Sequence, residues 1–343
     1  MINCIYQLTA PENINLKFEN INFDNKILVR PRFMSICRAD QRYYFGKREL
    51  SILKKKLPMA LIHESCGVII YDGTSKFKVG SKVVMIPNVP GARLNNAKIK
   101  KQNFIYENYE SDAKFLSSGL DGFMREIVAL DADRILPFES NNESIFCITE
   151  LISVVIHAIK RFLNSSHLCR EKIAVFGDGP VGFLLCLALK KMLPESKVLI
   201  FGRHQSKLSR FSFADETFSQ FDKNIKFDHA FECVGGYGSA NAIETIINCI
   251  KPQGTVIIMG VSEEKIPVNT RDILEKGLSF IGASRSGRED FKLAIDFLEN
   301  EDFSKRASIV VSDKGTLSNI QDIRNIFAES LTVTFKLFFE WNI

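Results

Sequence analysis

Four residues of this 343-residue chain have types that could do chemistry together: Cys37, His63, Glu64 and Glu150. Thiolate, imidazole and carboxylate are the donors of a catalytic zinc that keeps one position open for substrate. Such an ion would polarise a carbonyl and stabilise the alkoxide that forms as hydride arrives. A lone cysteine is more often a small buried hydrophobe, so the weight lies on joint occurrence. Glu150 adds to it, because it falls in the apolar run 148–156, where a carboxylate without a cationic partner is costly to bury. Cys37, His63 and Glu150 are therefore the expected ligands, with Glu64 nearby or alternating with them. Asp40 is expected behind the ligands or as a proton relay, with a helix cap as the plainer role.

The hydride source is suggested by Gly177-Asp178-Gly179-Pro180-Val181-Gly182, after an apolar strand and before an apolar helix. That context turns a weak glycine pattern into a dinucleotide fingerprint. Gly177 permits the tight turn, Gly179 lets backbone approach a pyrophosphate, and Gly182 lets helix and strand pack, with Pro180 and Val181 opening the helix. An NAD-binding unit carries an acid about 20 residues further on. Here the strand ends Phe201-Gly202-Arg203-His204-Gln205-Ser206-Lys207. With no acid there, and with Arg203 and Lys207 able to clamp a 2′-phosphate, NADP(H) is the expected cofactor.

Charge is concentrated beside Cys37. Residues 30–56 hold nine basic side chains against two acids, an excess larger than the +5 of the whole chain. A solvated basic face is one reading. Attraction of an anionic substrate to the metal is the other, and Arg38 and Arg42 are its first candidates. Aromatics do not interleave with the basic residues and no recognition motif appears, which argues against nucleic acid. No apolar stretch is long and uncharged enough to span a bilayer. The opening residues carry no export pattern and the eight cysteines are scattered, so a reduced, cytoplasmic chain is expected.

Two kinds of element must position these groups. Residues 1–152 read as short strands broken by turns, with strands expected at 26–30, 67–71, 82–86 and 125–130 and a surface excursion over 92–118. Residues 153–299 alternate strand and helix, with strands at 173–176, 197–201, 229–234, 255–259 and 278–282 and helices at 181–193 and 240–250. That rhythm predicts a doubly wound parallel sheet. Residues 300–343 have too few elements for a domain and are expected to rejoin the first.

These residues resemble the zinc-dependent medium-chain dehydrogenase/reductases along essentially the whole chain. The family's Cys-x-x-Asp element is similar to Cys37–Asp40 and its Gly-His-Glu element to Ile62-His63-Glu64. Its Glu-Pro-Leu-Ser-Val…His-Ala stretch is similar to residues 150–158, and Phe231-Glu232-Cys233-Val234-Gly235-Gly236 resembles the segment beside the nicotinamide. The resemblance implies an α/β chain made of a GroES-like β-rich catalytic domain and a Rossmann domain. It also implies Val234 and Gly235 near the cofactor and Tyr43 on the substrate. Within the family, runs such as Met34-Ser35-Ile36-Cys37 and Gly282-Ala283-Ser284-Arg285-Ser286-Gly287 resemble the branch that reduces D-ribulose 5-phosphate to D-ribitol 5-phosphate with NADPH, for the CDP-ribitol of teichoic acid and capsule. That branch implies a sugar-phosphate substrate, with Arg285 a further phosphate candidate beside Arg38 and Arg42. It also implies a homodimer and a cytidylyltransferase acting on the product. Another sugar phosphate or polyol, and a metal-free NADPH-binding protein on the same fold, are the alternatives.

Three departures from the family pattern matter. Residues 87–121 contain no cysteine, so no structural zinc is expected. Ala39 stands where relatives carry a hydroxyl relay, which shifts that role to Asp40, Glu64 or water. Ile62 replaces the glycine before the histidine.

Overall fold

In the computed structural model residues 1–91, 107–222 and 224–343 are described. Two compact units form: Met1–Ser153 with Arg285–Ile343, and Val154–Ser284. The chain re-enters the first unit at Arg285 rather than near 300.

The first unit is largely antiparallel. Strands β1 (Ile2–Ala10), β2 (Asn13–Asn20) and β4 (Met59–Ala60) form one small sheet. A larger sheet joins β3 (Ile27–Ser35), β5 (Glu64–Asp72), β6 (Lys82–Met85), β9 (Val128–Leu130), β10 (Ile135–Pro137), β17 (Val311–Leu317) and β18 (Lys336–Trp341), in the order β10-β6-β5-β3-β18-β17 with β9 also on β3. Pro31 in β3 has no N–H for the ladder, and the β3–β5 register slips between Pro31 and Phe33. The core under these sheets includes Ile5, Val29, Met34, Leu61, Phe123, Phe327 and Phe339.

Register decides where chemistry is delivered. Ser35, the last residue of β3, pairs with Glu64 at the start of β5 and with Phe338 of β18. Cys37 lies just past the end of β3, His63 just before β5, and Lys336 opens β18. Three adjacent strand ends therefore carry a thiol, an imidazole with a carboxylate, and an ammonium to one place. Helix α1 (Arg38–Tyr44) starts at Cys37, and α2 (Leu50–Lys56) follows. The short strands β7 (Asn88–Val89) and β8 (Lys114–Phe115) pair with each other. Most of the surface excursion expected at 92–118 lies outside the described residues.

The second unit is a six-stranded parallel sheet of β11 (Lys172–Phe176), β12 (Lys197–Phe201), β13 (Glu216–Phe218), β14 (His229–Glu232), β15 (Thr255–Ile258) and β16 (Ser279–Gly282), ordered β13-β12-β11-β14-β15-β16. The middle residues of β11, β12 and β14 are buried, as a sheet covered on both faces requires. Strand order reverses at β11 and β14, so the crevice beyond their carboxyl ends is the ligand position of such sheets. Helix α3 (Thr149–Ser165) leads into this unit, α4 (Pro180–Met192) follows β11, and α5 (Gln205–Leu208) and α6 (Gly238–Cys249) follow β12 and β14.

Candidate functional site

Asp40 ties the ligand-bearing segments together. Its Oδ2 accepts the Cys37 N–H at 3.0 Å and its Oδ1 the Ile62 N–H at 3.0 Å. The Ser117 hydroxyl donates to Oδ1 at 3.3 Å, and that same hydroxyl lies 2.8 Å from His63 Nδ1. With Nδ1–H given to Ser117, His63 keeps Nε2 for a metal, the arrangement by which outer partners fix a ligand imidazole. Burial works to raise the Asp40 carboxyl, but the His63 charge and the two backbone N–H groups outweigh it and hold it below the usual range. Asp40 thus acts as helix cap and as orienter at once.

Cys37, His63 and Glu64 offer ligand atoms that all lie within 4.8 Å of one another, the one such group among the described residues. Glu64 is fully buried, its Oε1 takes the Lys336 ammonium at 2.8 Å, and its Oε2 has no partner. An unpartnered buried carboxylate oxygen beside a thiol and an imidazole fits a divalent cation of zinc's preferences. Glu150 is buried but stands outside the group of three. Burial pushes its carboxyl up, against the pull of the His63 charge and with the push of Glu64. The structure therefore groups Glu64, rather than Glu150, with the thiol and the imidazole, the reverse of the expected ranking.

Lys336 is a member of this site that sequence reasoning missed. Its side chain is buried, and its ammonium donates to the Ile36 carbonyl at 3.0 Å as well as to Glu64. Charge from Glu64 and Cys37 holds it up at about 12 although burial works against it. The signal was one cation in the apolar run Phe335-Lys336-Leu337-Phe338-Phe339. Ser117, the other residue missed, carries no signal of its own.

The basic candidates separate. Arg38 is exposed and Arg42 half-buried. Tyr43 is buried with the Arg48 guanidinium 4.8 Å and the Lys56 ammonium 5.8 Å from its ring centre. The Arg285 guanidinium lies 5.2 Å over the Phe115 ring, which sits 5.2 Å from the His63 ring. Arg285 also has φ of 57°, a left-handed conformation uncommon for such a side chain. Its neighbour Ser286 is fixed by the Ser153 hydroxyl at 2.6 Å and by the Asn88 amide on its carbonyl.

In the second unit the turn after β11 is shaped for a pyrophosphate. Gly177 has φ of 126°, a side chain at Gly182 would run into the Gly177 carbonyl, and a side chain at Gly179 would meet nothing. The open backbone at Gly179 and the amino end of α4 fit a dinucleotide phosphate. Beyond β14, the buried Glu232 carboxylate accepts the N–H groups of Val234, Gly235 and Gly260 at 2.9, 3.0 and 3.1 Å, which fixes that turn. The Arg203 guanidinium lies against Gly238, and Lys207 is half-buried on α5.

Comparison with known proteins agrees with this layout. Residues 24–140 match the model of the alcohol dehydrogenase GroES-like domain, and residues 205–300 that of the zinc-binding dehydrogenase. A ribulose-5-phosphate reductase of Streptococcus pneumoniae is 47% identical over 347 residues, covering 100% of this chain and 98% of its own. One of Bacillus spizizenii is 42% identical with 100% of both chains covered. The solved structure of Staphylococcus aureus TarJ in complex with NADPH superposes with a TM-score of 0.86 at 37% identity, over 100% of both chains. The chain belongs to the zinc-dependent medium-chain dehydrogenase/reductase family. As a member of it, this dehydrogenase has the GroES-like and Rossmann architecture the motifs imply. Among the described residues no helix is long and apolar enough to cross a membrane.

Proposed function

We propose that this chain reduces D-ribulose 5-phosphate to D-ribitol 5-phosphate with NADPH at a single zinc centre. The observation that carries the reading is the convergence of Cys37, His63 and Glu64 within 4.8 Å, in a chain similar end to end to ribulose-5-phosphate reductases. When bound, zinc would supply a Lewis acid to the substrate's C2 carbonyl and NADPH the hydride. Cys37, His63 and Glu64 hold the metal, with Glu150 the carboxylate next to them. Asp40 and Ser117 orient the His63 ring. Arg285, braced on Phe115 beside that ring, receives the substrate phosphate together with Arg38 and Arg42, a task for which a fixed guanidinium is suited. Tyr43 contacts the sugar. Ala39 brings no hydroxyl, so the proton for the new alcohol comes from water, with Asp40 or Glu64 as the carboxylate that orients or relays it.

The cofactor lies on Gly177, Gly179, Pro180, Val181 and Gly182, with Arg203 and Lys207 toward the 2′-phosphate and Val234 and Gly235 toward the nicotinamide. On this reading the protein works in the cytoplasm as a homodimer. A cytidylyltransferase then consumes its product on the way to teichoic acid or capsule.

Following NADPH oxidation by the purified, zinc-containing protein tests this directly. D-Ribulose 5-phosphate should turn over rapidly and D-ribulose poorly, and Arg285→Ala should raise the KM for the phosphate ester. Equal rates on the two sugars would discard the phosphate reading.

A further inference from the structure

Asp178 lies inside the phosphate turn yet has no role in its glycine pattern. Its Oδ2 accepts the N–H groups of Arg203 and His204, each at 2.8 Å, and stands 2.9 Å from His204 Nδ1. The carboxylate is largely buried while the imidazole is 59% exposed. Burial alone would raise this carboxyl, but the bonds from His204 and Arg203 hold it below the usual range. Gly202 makes the approach possible: a side chain there would strike the Asp178 carboxyl. The residue that stands where NAD-binding units carry their acid is thus the one that admits an acid from the neighbouring turn, and that acid points into protein donors.

We infer that Asp178 is a positioning residue for the 2′-phosphate of NADP(H), and that the His204 imidazole it holds is a phosphate-contacting group beside Arg203 and Lys207. The inference rests on the NADP(H) reading above. The backbone bonds fix the turn that projects Arg203 and His204. With Nδ1 engaged by the carboxylate, the exposed ring presents Nε2 outward, where a phosphate oxygen can meet it. The three donors on Oδ2 also offset the charge with which a loose carboxylate would repel that phosphate.

Calorimetric titration with 2′,5′-ADP and 5′-AMP separates the layers, since the two probes differ only in the 2′-phosphate. Wild-type protein should prefer 2′,5′-ADP, and a lack of preference would overturn the NADP(H) reading itself. Given the preference, His204→Gln should reduce it about five- to tenfold, a charge-assisted bond at a partly solvated site. His204→Lys should restore much of it. Asp178→Ala should lower the preference to a similar degree and Asp178→Asn less, because the amide oxygen still accepts the two backbone N–H groups. Binding of 5′-AMP should stay within about twofold throughout, which certifies the fold. A preference unchanged in both His204→Gln and Asp178→Ala would overturn the inference and leave the NADP(H) reading standing.

Discussion

The metal pocket and the cofactor turn solve opposite problems. At the pocket, ionisable side chains are buried beside one another, and each is held by another: Asp40 by two backbone N–H groups and Ser117, Glu64 by Lys336. At the turn, the work falls to backbone left uncovered at Gly179 and to side chains left in solvent at Arg203 and His204. Removing a member of the first arrangement strands a charge in low dielectric, whereas removing a member of the second subtracts only its contact with ligand. Function and stability are coupled at one site and separable at the other.

The strongest attempt to break that contrast is at a ligand. His63→Ala should lower zinc content and kcat/KM together, the rate by on the order of a thousandfold, since a Lewis acid is worth several kcal/mol. Full activity in protein shown to be zinc-free would end the metal assignment. Next, Lys336→Met leaves Glu64 buried without its cation and should cost about 3–5 kcal/mol of folding stability in chelator-treated protein. The denaturant midpoint measures it, and Lys336→Met with Glu64→Gln should recover much of the loss. An unchanged midpoint would show that the pair does not hold the pocket. Arg203→Asp sharpens the other side. It should raise the KM for NADPH by about tenfold or more relative to NADH while stability stays within about 0.5 kcal/mol; equal effects on the two cofactors would refute the assignment.

The smallest effect concerns a buried histidine in the second unit. His229 Nδ1 accepts the Thr255 N–H at 3.1 Å, and its Nε2 lies 3.0 Å from the Cys169 carbonyl. Burial, helped by the His167 charge, pushes it down to about 4 from 6.5. The folded imidazole is neutral where the unfolded one takes a proton, so the unfolded state binds more protons below about pH 6.5. Stability should be full above that and decline as pH falls toward about 4. The melting temperature across that window should fall less in His229→Gln than in the parent, and parallel curves would show that His229 is not the group responsible.

Much of this was legible in the sequence because apolar strands bounded by glycine turns have few alternatives. The strands at 173–176, 197–201 and 255–259 and the helix at 181–193 lie within a residue or so of where they form. Strand β2 escaped because its face is almost wholly exposed, so no apolar alternation announces it. The return to the first unit at Arg285 escaped because composition does not change there. Donor chemistry singled out Cys37, His63 and Glu64, whose ligand atoms lie within 4.8 Å of one another. Lys336 sits 272 residues from Glu64, and only strand register joins them.

Ile62 offers a last lesson. This chain holds a β-branched residue at φ of 69°, in the left-handed region that favours glycine, fully buried, its N–H on Asp40 and its carbonyl on the Phe123 N–H at 2.7 Å. A conformation of this kind costs of order 1–3 kcal/mol and persists only when its surroundings over-determine it. For anyone cataloguing such enzymes by signature, a pattern demanding glycine before the histidine would pass over this one. In this chain the left-handed backbone before the histidine is held without glycine, by the Asp40 carboxylate on the Ile62 N–H.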